Sequence, residues 1–243
     1  MHGILQALPS AWLRPKNPAV TKTTPLQIGH QQQAASFEDI PSGDVFVRRF
    51  ASAPVKPVLF GLKLPESQVE VGKAEIRDHR TGKKVVSVVA LEQSSQPNEP
   101  FHGNFVLYAK EHPVGQSDMY IEGKSIKVGY MEANGRKEFD GIGTALHQIA
   151  VETSLKENKK GRVKLQSLDG AVGFHYKSGF RAKSKRVNQQ IEAFITQAKR
   201  DGVREPDINV SSGLLEMSLP KESIEQWKAR IRRKPILRDS QED

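Results

Sequence analysis

The feature that most constrains the fold is a glycine-containing segment, Glu138-Phe-Asp-Gly-Ile-Gly-Thr144, at which the hydrophobic period changes. Before it, residues 120–133 predict a long strand in which Ile126 and Val128 share one face at a period of two. After it, apolar residues between 146 and 153 recur at helical spacing. A strand that enters a glycine turn and leaves it as a helix is typical of α/β proteins.

The segment predicts a binding site for an anion. Its glycines allow a tight turn, and the N–H groups at the start of the following helix can hold an oligophosphate with little help from side chains. It is not a Walker loop, because no lysine follows either glycine. It is not a dinucleotide fingerprint, because Leu146 occupies the position of the third glycine. Taken alone, the pattern is also compatible with a plain tight turn.

The rest of the chain predicts a sheet with crossover connections. Two β-rich runs, Val69–Ile76 and Lys84–Leu91, flank turn residues and form a hairpin. Strands and helices then alternate, which is the order of an α/β (α+β) fold. The other predicted elements are strand Phe105–Ala109, a turn at Pro113–Asp118, strand Arg162–Ser167, a helix from Asp169 to Gly179, a helix at about 187–201, strand Leu214–Leu219 and a last helix that Pro235 terminates.

A second motif, Ala171-Val-Gly-Phe-His-Tyr-Lys-Ser-Gly-Phe180, follows the glycine segment at a short distance along the chain. In order and spacing, the two motifs resemble those of the GNAT superfamily of acyl-CoA N-acyltransferases. The resemblance covers roughly Val69–Arg181, with Leu214–Leu219 as the expected last strand. It implies the GNAT fold, in which a mixed central sheet splays open between two parallel strands and helices lie on both faces.

The resemblance also implies a site for acetyl-CoA, with the pyrophosphate at the glycine segment and the pantetheine arm in the gap between the two parallel strands. The family has Arg or Gln at the position of Glu138, and Arg136 or Lys137 lies close enough in sequence to compensate for the acidic residue. The implied acetyl-CoA-binding residues are Met131, Ala133, Arg136, Glu138, Phe139, Asp140, Gly141, Ile142, Gly143 and Thr144.

The implied reaction is direct transfer of an acetyl group to an amine in a ternary complex. An N–H near Ala133 would polarise the thioester carbonyl, and Glu132 is the candidate base for the amine. The alternative interpretation of Glu132 is a strand carboxylate paired with a lysine. The tyrosine that is frequent in the second motif falls on His175, with Tyr176 beside it. One of the two would protonate the leaving thiolate, and packing is the alternative role for both.

The chain is expected to contain one folded domain with flexible ends. Residues 1–54 carry many prolines and polar residues and predict a flexible, largely disordered leader. The GNAT-like domain is expected at 55–235, with the helix at about 187–201 as an insertion, and 236–243 as a flexible tail. A cytoplasmic location is expected. A leader without a Sec-type signal also suits export into another cell by a non-Sec route.

Charge narrows the choice of partners. The formal net charge is +9, and Gly135–Arg186 contains twelve Lys or Arg against five Asp or Glu. This excess suits a polyphosphate cofactor, a nucleic acid or a solvated surface. Nucleic acid is not favoured, because few aromatic residues lie among the basic ones and no known nucleic-acid motif is present. The alternative function is a catalytically inactive CoA-binding module, or a nucleic-acid or protein-binding module, on the same fold.

Residue types exclude several further classes of site. The sequence has no cysteine, which removes thiolate nucleophiles and Cys-based zinc sites. It has no apolar run of about 18 residues, so no membrane span is expected. No metal site is predicted, because the histidines lack ligand partners at short spacing. His147 lies between apolar positions of the predicted helix and is expected to be a satisfied or solvated histidine rather than a ligand.

Overall fold

The computed structural model describes residues 64–93, 100–203, 208 and 214–238. Within these residues, nine strands form one sheet and four helices pack with it. The strands are β1 (Gln68–Asp78), β2 (Lys84–Gln93), β3 (His102–Ala109), β4 (His112–Glu122), β5 (Ser125–Glu132), β6 (Phe139–Asp140), β7 (Val163–Leu168), β8 (Arg181–Ala182) and β9 (Leu214–Ser218). The helices are α1 (Ile142–Lys156), α2 (Asp169–Lys177), α3 (Lys185–Arg200) and α4 (Lys221–Arg233).

The sheet is mixed. Its strand order is β6-β1-β2-β3-β4-β5-β7-β9-β8, and among the described strands only β5 and β7 pair in parallel. Helix α1 is the crossover between these two strands, as parallel neighbours require. The predicted α/β class and its mixed sheet are therefore confirmed. None of the described helices is both long and apolar enough to cross a membrane.

The parallel pair opens partway along its length. Strands β5 and β7 are paired through only three residue pairs, which end at Val128 and Leu165. At the same point the register between β4 and β5 shifts, because Met119 faces Val128 while Asp118 faces Tyr130. Gly129 is thus the extra residue of a β-bulge, which bends its strand and interrupts pairing. Beyond it, β5 and β7 both continue without pairing to each other, so the predicted splay is present.

The core lies on the face of the sheet that α1 covers. Its fully buried side chains include Met119 and Ile126 from the sheet and Leu146 and Ile149 from α1. Burial of each such side chain contributes about 1.5–3 kcal/mol to stability, which fixes the helix over β4 and β5. The opposite face of these two strands is polar and open, with Tyr130 about half exposed.

The C-terminal end of the described chain differs from the prediction. Residues 236–243 were expected to be a flexible tail, but Ile236 and Leu237 are buried. Leu237 forms a β-bridge with Gly72, where any Cβ would collide with the Ile236 carbonyl oxygen. The buried Glu152 carboxylate of α1 accepts hydrogen bonds from the N–H groups of both residues. Residues 236 and 237 thus supply apolar side chains and backbone donors that the core uses, and residues 239–243 of the predicted tail lie outside the described residues.

Two predicted elements are also placed differently. The turn predicted at Pro113–Asp118 is part of β4, and the long strand predicted at 120–133 is divided by a hairpin turn between Glu122 and Ser125. Gly123 adopts a φ of 59°, which glycine reaches without steric cost. The helix predicted at about 187–201 is α3. The predicted leader at 1–54 lies outside the described residues.

Candidate active site

The start of α1 presents backbone donors. Gly141 is its N-cap residue with φ 91° and ψ −3°, and no side chain caps the helix. Among the described residues, no group accepts a hydrogen bond from the N–H of Gly141, Ile142, Gly143 or Thr144. A Cβ added at Gly141 would meet no heavy atom within 4 Å, so the approach to these donors is open. The partial positive charge of a helix N-terminus favours an anion here.

The side chains of the predicted loop divide into two groups. Phe139 and Ile142 are buried in the core and can offer a ligand only their backbone. The Lys110 ammonium lies 5.1 Å from the centre of the Phe139 ring. Arg136 and Glu138 are exposed. The loop is held in place because β6 pairs with β1.

Asp140 is paired with a histidine from the turn that follows β1. The His79 Nε2 atom lies 2.8 Å from the Asp140 carboxylate, and His79 Nδ1 lies 3.1 Å from the Lys137 carbonyl oxygen. The Asp140 carboxylate raises the pKa of His79 above its ordinary value. The His79 backbone N–H also donates to the Glu138 carbonyl at 2.7 Å. These contacts fix the loop and give Asp140, one of the two carboxylates that flank the helix N-terminus, a hydrogen-bond partner.

Gly143 brings the second motif against the loop. A Cβ at this position would come within 2.6 Å of the Phe174 ring, so the aromatic side chain of α2 rests directly on the first turn of α1. Gly143 and His147 are four residues apart and therefore share a face of α1. His147 contacts both Phe174 and His175. The structure thus brings the predicted phosphate loop and the predicted catalytic histidine together along one side of α1.

His175 is mostly buried, and its Nδ1 atom lies 2.9 Å from Nε2 of the fully buried His147. Burial lowers the pKa of His175 to about 4. Burial, and then the nearby charge of His175, hold the pKa of His147 well below its usual range. Both rings are therefore neutral at neutral pH, and one N–H is shared between them.

Tyr176 occupies a packed position. Its side chain packs against the core and against a second, smaller cluster of buried apolar residues, Val172, Ile191 and Ile208. The Arg181 guanidinium lies over its ring at 3.9 Å from the ring centre. Arg181 is itself fixed by hydrogen bonds of 2.8 Å to the carbonyl oxygens of Tyr176 and Phe180. This geometry agrees with the packing role that the sequence left open for Tyr176.

Glu132 lies on the opposite face of the sheet from α1. Its carboxylate accepts a hydrogen bond of 2.5 Å from the Tyr130 hydroxyl and one of 3.2 Å from Gln116. The Tyr130 hydrogen bond holds the pKa of Glu132 below its ordinary value. A lysine is the alternative partner that the sequence suggests for this carboxylate, and neither of these two partners is a lysine. Met131, between Tyr130 and Glu132, instead points its side chain to the core, as strand alternation requires.

Two cavities lie away from the predicted loop. One, of about 450 Å³, lies along α3 and is lined by residues from Gln189 to Arg200. A second cavity of about 220 Å³ lies on the polar sheet face between Glu122 and Glu216, near the paired part of β5 and β7. In the described residues, no three His, Asp or Glu side chains are placed to share a metal ion.

Sequence reasoning missed the role of His147 and the partner of Glu132. His147 was expected to be satisfied or solvated, and it is buried with one ring nitrogen bonded to His175. The available signal was its spacing of four residues from Gly143, which places both on the helix face that meets α2. The Tyr130–Glu132 pair follows the i, i+2 spacing of side chains on one strand face.

Comparison with known proteins gave structural matches. No protein-family model matches the chain, and no curated protein sequence is similar to it. Nourseothricin acetyltransferase matches at 16% identity over 65% of this chain and 90% of its own, with a TM-score of 0.35. A putative streptothricin acetyltransferase from Bacillus anthracis, in complex with acetyl coenzyme A, matches at 14% identity over 65% and 90%, with a TM-score of 0.36.

A GNAT family acetyltransferase from Elizabethkingia anophelis, with acetyl-CoA bound, matches at 14% identity over 49% of this chain and 75% of its own, with a TM-score of 0.33. At these identities and TM-scores, the matches alone do not assign an activity. The chain is similar in structure to acetyltransferases of the GNAT type.

Proposed function

We propose that the protein is an N-acetyltransferase that transfers an acetyl group from acetyl-CoA to an amine in a ternary complex. The observation that carries the proposal is the position of the open donors of α1 beside the gap between β5 and β7. A Cβ at Gly115 would meet both the Ile142 side chain and the Glu132 carbonyl oxygen, so the first turn of α1 adjoins the end of β5. A pyrophosphate at Gly141 and an extended arm along β5 would occupy adjoining sites.

The pairing pattern indicates which backbone groups face the gap. The Ile126 N–H donates towards β7, so before the bulge the even-numbered residues of β5 face that strand. The extra residue Gly129 reverses this parity. After the bulge, the backbone N–H and C=O groups of the odd-numbered residues Met131 and Ala133 therefore face the gap. No described strand pairs with them there. They are the proposed partners of the pantetheine amides, with the Ala133 N–H as the donor to the thioester oxygen.

The proposed reaction forms a C–N bond at the acetyl carbonyl and breaks the C–S bond to CoA. A lysine-like amine has a pKa of about 10.4, so its proton must leave before attack. Glu132 is ionised at neutral pH, since its pKa lies below the ordinary value. It is a weak base, so its proposed role is to hold the ammonium and pass the proton to water. The sulfur receives a hydrogen bond from His175, with Tyr176 as the second candidate.

The proposed location is the cytoplasm, and export by a non-Sec route remains part of the proposal for residues 1–54.

A second candidate function is CoA binding without catalysis. Two observations favour it: Glu138 stands exposed at the phosphate loop, and His175 is neutral and mostly buried. Binding and turnover measurements separate the two functions.

The first experiment is titration calorimetry with acetyl-CoA on the wild type, Gly141→Asp and Gly202→Asp. Both glycines have positive φ, 91° and 73°, and open space where a Cβ would go, so the two variants carry the same change at similar backbone cost. We expect binding that Gly141→Asp weakens at least tenfold and Gly202→Asp leaves unchanged. Gly143→Asp is unsuitable, because its Cβ would clash with Phe174. No binding to the wild type, or equal loss in both variants, would contradict the proposal.

Turnover is then measured by release of free CoA thiol with a panel of small amines and lysine peptides. The protein has no cysteine, so a thiol reagent reports only CoA. Thiol release that depends on the amine supports the transferase. Binding without amine-dependent release supports the non-catalytic alternative.

A further inference from the structure

His147 sits at the centre of the packing among α1, α2 and α4. Its ring is stacked on Phe174 at 4.9 Å and 16° between planes, and it also contacts the rings of Phe180 and Trp227 at 4.7 and 6.5 Å. The side chain is fully buried. A buried imidazole in an aromatic cage is costly unless its polar atoms are used. One of its two nitrogens is used, because Nε2 lies 2.9 Å from His175 Nδ1.

The other nitrogen of His147, Nδ1, is sealed from solvent and has no hydrogen-bond partner in the described part of the chain. A neutral imidazole carries its proton on one nitrogen only. If that proton were on Nδ1, a buried N–H would be left without an acceptor, an arrangement that folded proteins rarely contain. The proton therefore belongs on Nε2, the nitrogen that faces His175.

This arrangement determines the protonation of the second ring. His147 Nε2–H donates to Nδ1 of His175, so Nδ1 is an acceptor without a proton. The proton of neutral His175 must then be on its own Nε2. That atom has no protein partner in the described residues and is not among the sealed polar atoms. It is the polar atom that His175 leaves available to a ligand.

We propose that His147 is a positioning residue that fixes His175 in the form with its proton on Nε2. The consequence for catalysis rests on the proposed acetyltransferase function: His175 Nε2–H donates a hydrogen bond to the sulfur as the C–S bond breaks, without itself losing the proton. A tyrosine hydroxyl can rotate to find its acceptor, whereas an imidazole offers the correct atom in only one of its two neutral forms. A histidine at this place needs a second residue to select that form.

The test is a long-range ¹H–¹⁵N correlation spectrum of the full ¹⁵N-labelled chain, which distinguishes the protonated nitrogen of each imidazole. The seven histidines give few signals, and His147→Gln and His175→Gln assign the two of interest. We expect both rings to carry the proton on Nε2. A wild-type His175 that carries it on Nδ1, or that shows an even mixture, would overturn the proposal whether or not the protein is active.

Two variants extend the test to function. His147→Leu removes the donor, and we expect the His175 signal to become a mixture of both forms. His147→Gln keeps an N–H donor at the end of the side chain, and we expect it to restore the Nε2–H form. In an active enzyme, His147→Leu should lower kcat about tenfold with little change in KM. The effect is smaller than the loss of about 10²–10³-fold in kcat that follows complete removal of a transition-state donor, because His175 keeps the correct form part of the time. Equal kcat values in the two folded variants would contradict a positioning role.

If His147→Leu does not fold, the wild-type spectrum and His147→Gln still decide the protonation. If the wild type shows no transferase activity, the spectrum tests the His147–His175 arrangement by itself. The failure of the proposed function and the failure of this proposal are therefore separate results.

Discussion

Loss of the Glu152 carboxylate should be among the most destabilising single changes in the described chain. Its two oxygens accept hydrogen bonds from Ile236 N–H at 2.9 and 3.1 Å, from Leu237 N–H at 2.6 Å and from the Gln148 amide at 2.8 Å. In Glu152→Ala, the Gln148 amide keeps a second acceptor, the Lys234 carbonyl at 2.7 Å. The N–H groups of Ile236 and Leu237 belong to buried residues, and in this variant they lose their hydrogen-bond acceptor.

A buried donor left without a partner costs about 1–3 kcal/mol, so the two together cost about 2–6 kcal/mol. A domain of ordinary stability has about 5–15 kcal/mol in total. With a urea m-value of about 2 kcal/mol/M, a loss of about 4 kcal/mol lowers the unfolding midpoint by about 2 M. Glu152→Gln keeps one carbonyl oxygen, and we expect its midpoint to lie between those of the wild type and Glu152→Ala.

The assay is urea unfolding followed by circular dichroism and by tryptophan fluorescence, to which the buried Trp227 contributes together with Trp12. Glu192→Ala is the matched control, because this glutamate is exposed on α3 and its loss should change stability by less than about 0.5 kcal/mol. If Glu152→Ala unfolds at the same midpoint as Glu192→Ala, the segment at Ile236 and Leu237 does not depend on this carboxylate, and the reasoning is refuted.

Two further predictions concern the site. Tyr130→Phe removes the hydrogen bond that lowers the pKa of Glu132, so the carboxyl titration followed by ¹³C NMR should move up in pH towards the ordinary glutamate value. An unmoved titration would show that the tyrosine does not control Glu132. Gly143→Ala should lower stability by about 1–3 kcal/mol, because its Cβ overlaps the Phe174 ring. In a Phe174→Ala background the same change should be neutral or stabilising, since alanine favours helix by about 1 kcal/mol over glycine. Equal effects in both backgrounds would contradict the contact.

The sequence predicted best where local pattern and local structure coincide. The change of hydrophobic period at Glu138–Thr144 correctly located the turn between β5 and α1, because both neighbours are long and strongly periodic. The same periodicity obscured the hairpin at Gly123, since apolar alternation continues on both sides of it. A turn of two residues leaves little compositional trace when one of them is a lysine.

Contacts between distant parts of the chain were not predictable from one sequence. Glu152 and Ile236 are 84 positions apart, and neither residue type indicates that a helix carboxylate will bind a terminal backbone segment. His147 and His175 were each considered alone, as one discounted and one candidate residue, because their contact depends on how α2 crosses α1. The protonation of His175 likewise depends on a sealed atom of another residue, which only the packed structure reveals.

The opening between β5 and β7 also bears on the mechanical stiffness of the sheet. The described sheet consists of a six-strand part, from β6 to β5, and a three-strand part, from β7 to β8, and only three residue pairs join their backbones. The seam is short compared with the pairing inside either part, where β1 and β2 alone share nine pairs. An extended ligand along the exposed edge of β5 would add hydrogen bonds where none of the described strands supplies them. Such a ligand would strengthen the connection between the two parts, and the stiffness of the described sheet would then depend on whether the ligand is bound.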